Sequence, residues 1–233
     1  MADSKMKEQL CTLKDVDQTA EKLMALGCKV SAMHINDGAA RLGFLGEIRA
    51  FAEEVYQDIG DGVISAAEGV EALWDEHEAL RDKASFYLTN GITVAGGVVQ
   101  VELGTVITGA SGGTAVPVGG LMISHGVNNI YEGIGNIYNG PNKPSVVGPT
   151  RWLYQEIAGG VYEGNIAYGT TDLALSAYGV FRLVRTPGSA QLFRQDPINY
   201  ENAYKQAGRL SLLLEGSVDA ITINSMINEE KSK

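Results

Sequence analysis

The stretch GITVAGGVVQVELGTVITGA, residues 91–110, decides how this chain folds. Its β-branched content suits a pair of strands. Its length, ~20 residues, also suits one helix crossing a bilayer. The spacing favours a helix. Thr93, Gly97, Gln100, Gly104 and Thr108 recur at steps of three and four, which lines small and polar groups along one stripe. Val94, Val98, Val101 and Ile107 lie towards the other side, with Val101 on the presumed lipid face. GASGGTAVPVGG, residues 109–120, then reads as a turn. The expectation is a helical hairpin over 91–109 and 118–138, packed antiparallel with Gly97 and Gly104 in the contact.

The returning arm contains SHGVNNIYEGIGNIYNG, residues 124–140. On a helical projection His125, Asn128, Asn129, Glu132 and Asn136 fall within roughly a third of the circumference. Ile123, Val127, Ile130, Ile134 and Ile137 fall opposite. Residues 90–140 contain no Lys or Arg, and Glu102 and Glu132 are their acids. A solvated helix face normally mixes charges. A stripe of amides suits an enclosed surface, where each amide donates and accepts. Three readings stay open. The stripe is a buried hydrogen-bond network, with Gly126 and Gly133 admitting a neighbouring helix. It is a water-lined seam within a membrane, where polar residues gather on interior faces. Or it is an active site in which His125 and Glu132, two turns apart, act as base and orienter. No HExxH, GxSxG, Walker or GxGxxG pattern supports the last.

Outward from the hairpin, residues 1–89 read as an N-terminal helical region. Leu10, Leu13, Val16, Ala20, Leu23 and Met24 make one apolar stripe, and Gly27 reads as its stop. Leu42 to Ile59 make a second, ended by GDG at 60–62. Ser65 and Glu68 form a capping box for a third. Residues 90–233 hold the hairpin and a C-terminal helical region, the whole forming one unit with the N-terminal helices. There Thr150 reads as the cap of RWLYQEIAG, VYEGNIAYG as a short irregular or extended piece, and Thr170 or Thr171 as the cap of DLALSAYGVFRLV. In that last helix Leu175, Tyr178 and Phe181 are placed inward, and Asp172 is read as a helix N-terminal charge. ENAYKQAGRLSLLLEGSVDAITINSMI reads as one long helix or a broken pair. The fold class is mainly α, a helical bundle around a glycine-rich hairpin.

Composition narrows the function. A chain of 233 residues with 45% apolar and 20% charged residues is globular. A net charge of -10 argues against nucleic acid and against simple adsorption to anionic lipid. Cys11 and Cys28 form no metal-ligand pattern, so neither metal nor cofactor is expected. The polar start MADSKMKEQL lacks an apolar signal core. The expectation is synthesis in the cytoplasm, with delivery to a target-cell membrane by a secretion-system carrier or fusion partner.

GGLMISHGVNNIYEGIGNIYNG followed by RWLYQEIAGGVYEGNIAYGTTDLALSAYGVFRL resembles the bacterial family catalogued as domain of unknown function 4225, over roughly residues 90–185. The resemblance implies a toxin-like effector and carries no catalytic residue with it. Together with the stripe and hairpin it leads to the expectation of an antibacterial effector that permeabilises a target membrane. On this expectation a soluble-to-inserted switch turns apolar faces packed inside the soluble form out to lipid, leaving Gln100, Thr108, His125, Asn129 and Asn136 to water, and a cognate immunity protein shields the producer. The alternatives are a soluble toxin enzyme using His125 and Glu132, and a non-toxic helical binding protein.

Overall fold

The computed structural model describes residues 11–110, 115–189 and 197–231. Its helices are α1 (Leu13–His34), α2 (Gly38–Gly60), α3 (Ala66–Ala110), α4 (Val116–Asn139), α5 (Pro149–Ala158), α6 (Val161–Phe181) and α7 (Arg209–Lys231). A short antiparallel ladder, β1 (Leu183–Arg185) with β2 (Tyr200–Asn202), lies between α6 and α7. The fold is therefore mainly α. The chain divides into two compact units, Met1–Phe86 and Tyr87–Lys233. Helix α3 contributes its first part to one unit and its second part to the other.

In the first unit α1, α2 and the start of α3 enclose Val16, Leu23, Ile48, Val55 and Leu73. Leu13 is exposed, and Leu10 lies outside the described residues. Gly27 does not stop α1, which runs on to His34. A Cβ at Gly27 would lie 2.3 Å from Ile48 Cδ1, so this glycine lets α1 and α2 approach. The Tyr56 hydroxyl donates to Asp17 across that contact. Burial first, and this hydrogen bond second, push the phenol up to about 12.

Both expected ends near residues 60–65 form. Helix α2 closes at Gly60–Gly62, where Gly62 takes a φ of 71°. Ser65 N and Oγ both donate to Glu68 Oε2, at 2.7 and 2.9 Å. Thr12 and Asp15 form a second box at the start of α1. In each box the cap's backbone N–H, then its hydroxyl, holds the carboxyl below its ordinary value. A depressed folded-state pKa contributes stability above the unfolded value, and that contribution is lost as pH falls through the folded value. Asp15→Asn with Glu68→Gln should therefore flatten the acid limb of unfolding below about pH 4.5, the ordinary glutamate value. Far-UV circular dichroism against pH checks this.

The second unit is built on the hairpin. Residues 91–109 are helical, not strands, and α4 returns antiparallel to them. Residues 111–114 of the expected turn lie outside the described residues. The hairpin seam is a ladder of glycines seven residues apart. A Cβ on Gly97 would meet Gly126 O at 2.6 Å, and one on Gly104 would meet Gly119 O at 2.6 Å. One on Gly133 would meet Asn90 O at 2.9 Å. Val94 and Val101 also line this seam, beside Gly133 and Gly126. Val101 is therefore not on the outer face; Val98 and Val106 are.

Four expectations for the remainder are corrected. Helix α5 begins at Pro149 with Gly148 as its N-cap residue, so Thr150 sits inside it. VYEGNIAYG is the first half of α6, which starts after Gly160; Thr170 and Thr171 lie within it. Leu175 is buried, but Tyr178 and Phe181 are exposed. Residues 200–205 form β2 and a 3-10 turn, and the last helix begins only at Arg209. Helix α6 runs antiparallel to α4, as the pairs Asn128–Tyr168 and His125–Asp172 require. Helix α7 runs antiparallel to α6, with Ser176 bonded to Asp219 and Asn165 to Glu229.

Candidate functional site

The polar stripe of α4 faces inward and meets α3, α5 and α6. His125 is fully buried. Its Nδ1 lies 3.2 Å from Asp172 Oδ1 and its Nε2 3.2 Å from the Tyr154 hydroxyl. Its ring stacks on Tyr168 at 4.4 Å, and the Arg151 guanidinium lies 4.2 Å from the centre of the same Tyr168 ring. Asp172 Oδ1 also accepts from Gln100 Nε2 at 2.8 Å. Gln100 Oε1 accepts from Asn129 Nδ2 at 3.0 Å, and Asn129 Oδ1 from the Tyr168 hydroxyl at 2.8 Å. That hydroxyl accepts from Asn128 Nδ2 at 3.1 Å. The amides thus link four helices by donating on one side and accepting on the other.

The other half of the stripe caps helix α5. Asn128 Oδ1 accepts from Thr150 N at 2.9 Å and Arg151 N at 3.3 Å, which are free donors of the first turn. A Cβ on Gly148 would lie 2.1 Å from that oxygen, so only glycine admits this cap. Glu132 Oε1 accepts from Gly148 N at 2.9 Å and from Arg151 Nε at 2.8 Å. Its Oε2 accepts from Arg151 Nη2 at 2.9 Å, which completes a two-pronged pair. Further along, Asn136 donates to Asn90 Oδ1 at 2.9 Å and accepts from Val146 N at 2.7 Å. Apart from Glu132, which meets Arg151, the stripe is built of amides and a histidine, whose backbone N–H, amide, hydroxyl and carboxylate partners call for both donors and acceptors.

Of the residues expected in the seam, Gln100, His125, Asn128, Asn129 and Glu132 come together in this network, and Asn136 extends it. Thr108 instead donates to Gly104 O of its own helix. His125 and Glu132 turn to different partners, Asp172 with Tyr154 and Arg151 with Gly148, so they do not share a substrate position. Asp172 is not a helix N-terminal charge; it is buried in mid-helix. Sequence reasoning missed Arg151, Tyr168 and Asp172 as members of the network. Tyr168, Asp172 and Ser176 step by four, a polar stripe on α6 that the same projection would have found. Among the described residues no group of three or more His, Cys, Asp or Glu could hold a metal ion. A separate groove of about 370 Å³ lies between α6 and α7, lined by Tyr162, Ile166, Leu173, Ile223, Met226 and Ile227.

The outer surface of the unit is the inverse of its interior. Val127, Tyr131, Ile134 and Tyr138, at steps of four and three on α4, are 50%, 56%, 54% and 89% exposed. On α3, Val98 and Val106 are likewise exposed. Among the described residues of this unit, more polar than apolar side chains are buried.

A family model described as "Protein of unknown function (DUF4225)" matches residues 69–208, a wider span than the hairpin and its two following helices. No curated protein and no solved structure matches the chain.

Proposed function

The chain belongs to the DUF4225 family, and from that premise we propose that it is an antibacterial effector whose glycine-seamed hairpin enters and permeabilises a target membrane. The observation that carries this reading is the inverted polarity of the second unit. A soluble bundle hides its apolar stripes and wets its polar ones. Here the Asn–Gln–His–Asp stripe is enclosed, and the Val127–Ile134 stripe faces out. In a bilayer the first arrangement satisfies each polar group internally, and the second presents hydrocarbon to lipid. Close helix contacts through glycine belong to the same environment.

Length agrees. Helices α4, α6 and α7 have 24, 21 and 23 residues, against ~20 for a crossing. Helices α3 and α7 are long and apolar enough to cross a membrane. No turning-out of apolar faces is needed, because those faces are already outside. Permeabilisation would follow where this network opens and Gln100, His125, Asn129 and Glu132 exchange their hydrogen bonds within the protein for water. Such an effector would need an immunity protein in the producing cell and a secretion-system carrier for delivery.

The test is dye release from loaded liposomes, with alkaline carbonate extraction to separate insertion from adsorption. The wild-type chain should release dye and resist extraction. Val127→Asp with Ile134→Asp, which puts charge on the outer face, should abolish both; each Asp costs ~3 kcal/mol at the centre of a membrane helix. Intact vesicles and full extraction, with toxicity retained in cells, would sink the membrane reading in favour of an enzyme. Neither release nor toxicity would leave a structural or binding protein.

A further inference from the structure

The chain as a whole carries a net charge of -10, yet one end of the second unit is cationic. No Lys or Arg occurs in residues 84–142 or 152–181. At the end where α6 gives way to α7, Arg185, Lys205 and Arg209 are all exposed. Arg182, beside them, is turned back onto Gly179 O of its own helix, and Arg185, though exposed, donates to Ser189 Oγ and O. The acid within this described segment, Glu201, accepts from Gln206 Nε2 at 2.9 Å.

The segment is held in place. Arg185 pairs with Tyr200 across the ladder, Ala203 N donates to Arg182 O at 2.9 Å, and Gln206 Nε2 donates to Arg185 O at 2.8 Å. Arg209 opens α7 with no acid in the first turn, although a helix start favours negative charge. Beside these cations Leu183, Ile198 and Leu210 are 67%, 81% and 81% exposed.

Resting on the membrane reading above, we infer that this end of the second unit is a docking surface for the anionic headgroups of a lipid bilayer. The mixture of chemistries selects that partner. A nucleic acid or acidic peptide would answer the three cations and leave the leucines and isoleucine in water. A bilayer surface answers both, with phosphates above and acyl chains beneath. The net charge of -10 does not oppose docking at short range, because exposed charges beyond about 10 Å are screened at ordinary salt. The expectation drawn from net charge alone, that anionic lipid would not attract the chain, overlooks this segregation.

The experiment is co-sedimentation of the full chain with phosphatidylcholine vesicles, with and without phosphatidylglycerol. The wild type should prefer the anionic vesicles, less so as salt rises. Each surface cation contributes about fivefold to such partitioning, so neutralising all three should lower it on the order of 100-fold. Arg185→Gln with Lys205→Gln and Arg209→Gln should erase the preference. Lys14→Gln with Lys29→Gln and Arg49→Gln, an equal charge change at exposed sites of the first unit, should keep it. Equal retention of wild type on both vesicle types, or equal loss in the control, overturns docking. Carbonate-resistant association, read in the same samples, separates the two ideas. Resistance without anionic preference overturns docking alone. Anionic preference without resistance supports docking and overturns insertion.

Discussion

An Arg151→Met chain is expected to lose about 3–5 kcal/mol of stability, because it leaves the Glu132 carboxylate buried without its cation. The Glu132 side chain is 8% exposed and that of Arg151 is 23% exposed, so solvent screens the pair weakly. Both carboxylate oxygens accept from the guanidinium, and Gly148 N alone would remain to hold one of them. The substitution also uncovers Tyr168, over whose ring the guanidinium lies. Glu132→Gln in the same chain should recover much of the loss, since it removes the stranded charge while keeping an acceptor for Gly148 N. Denaturant unfolding in detergent micelles measures both variants. A single-variant loss under about 1 kcal/mol would mean the pair behaves as an exposed one.

The second large effect is a contrast between two glycines of one helix. A Cβ on Gly126 would lie 2.5 Å from Gly97 O and 2.9 Å from Val101 N, and backbone cannot rotate aside. Gly126→Ala should therefore cost about 1–3 kcal/mol through overpacking, despite alanine's better helix propensity. Gly120, also in α4, has nothing within 4 Å of its Cβ position. Gly120→Ala should stabilise by up to about 1 kcal/mol. The same methyl group thus acts with opposite signs six residues apart. Two changes of equal sign, in the same unfolding measurement, would show that the seam does not set the hairpin's stability.

The hairpin and its stripe were legible because a helical period survives in the spacing of particular residues. Gly97 with Gly104, and His125 with Asn129 and Glu132, keep that period whatever lies around them. The Ser65–Glu68 cap was legible for a similar reason, being complete within four residues. What escaped was tertiary. Glycine normally signals a break, yet Gly27, Gly164 and Gly169 sit inside helices because a neighbour passes close. A Cβ on Gly164 would lie 2.2 Å from Gln155 Cα, and one on Gly169 would lie 2.8 Å from Met226 Sδ. Reading VYEGNIAYG as irregular or extended hid the first half of α6. That error in turn made Asp172 look like a helix start, when it faces His125. Thr150 was taken for a cap because the true cap, Asn128, lies 22 residues away on another helix.

The ladder of glycines has a consequence for how the hairpin finds its alignment. Glycines recur every seven residues on both arms, at 97 and 104 and at 119, 126 and 133. Sliding one arm by seven residues, about 10 Å along a helix, would again set glycine against glycine, with 104 facing 126 and 97 facing 133. The seam is therefore degenerate: shape alone accepts more than one alignment. The amides break the tie. Only the observed alignment joins Asn129 to Gln100 and Asn136 to Asn90, while Gln100 also reaches Asp172. The slide would part those pairs and strand their polar groups away from water. The smooth surface and the polar teeth thus divide the labour: one permits closeness, the other counts residues.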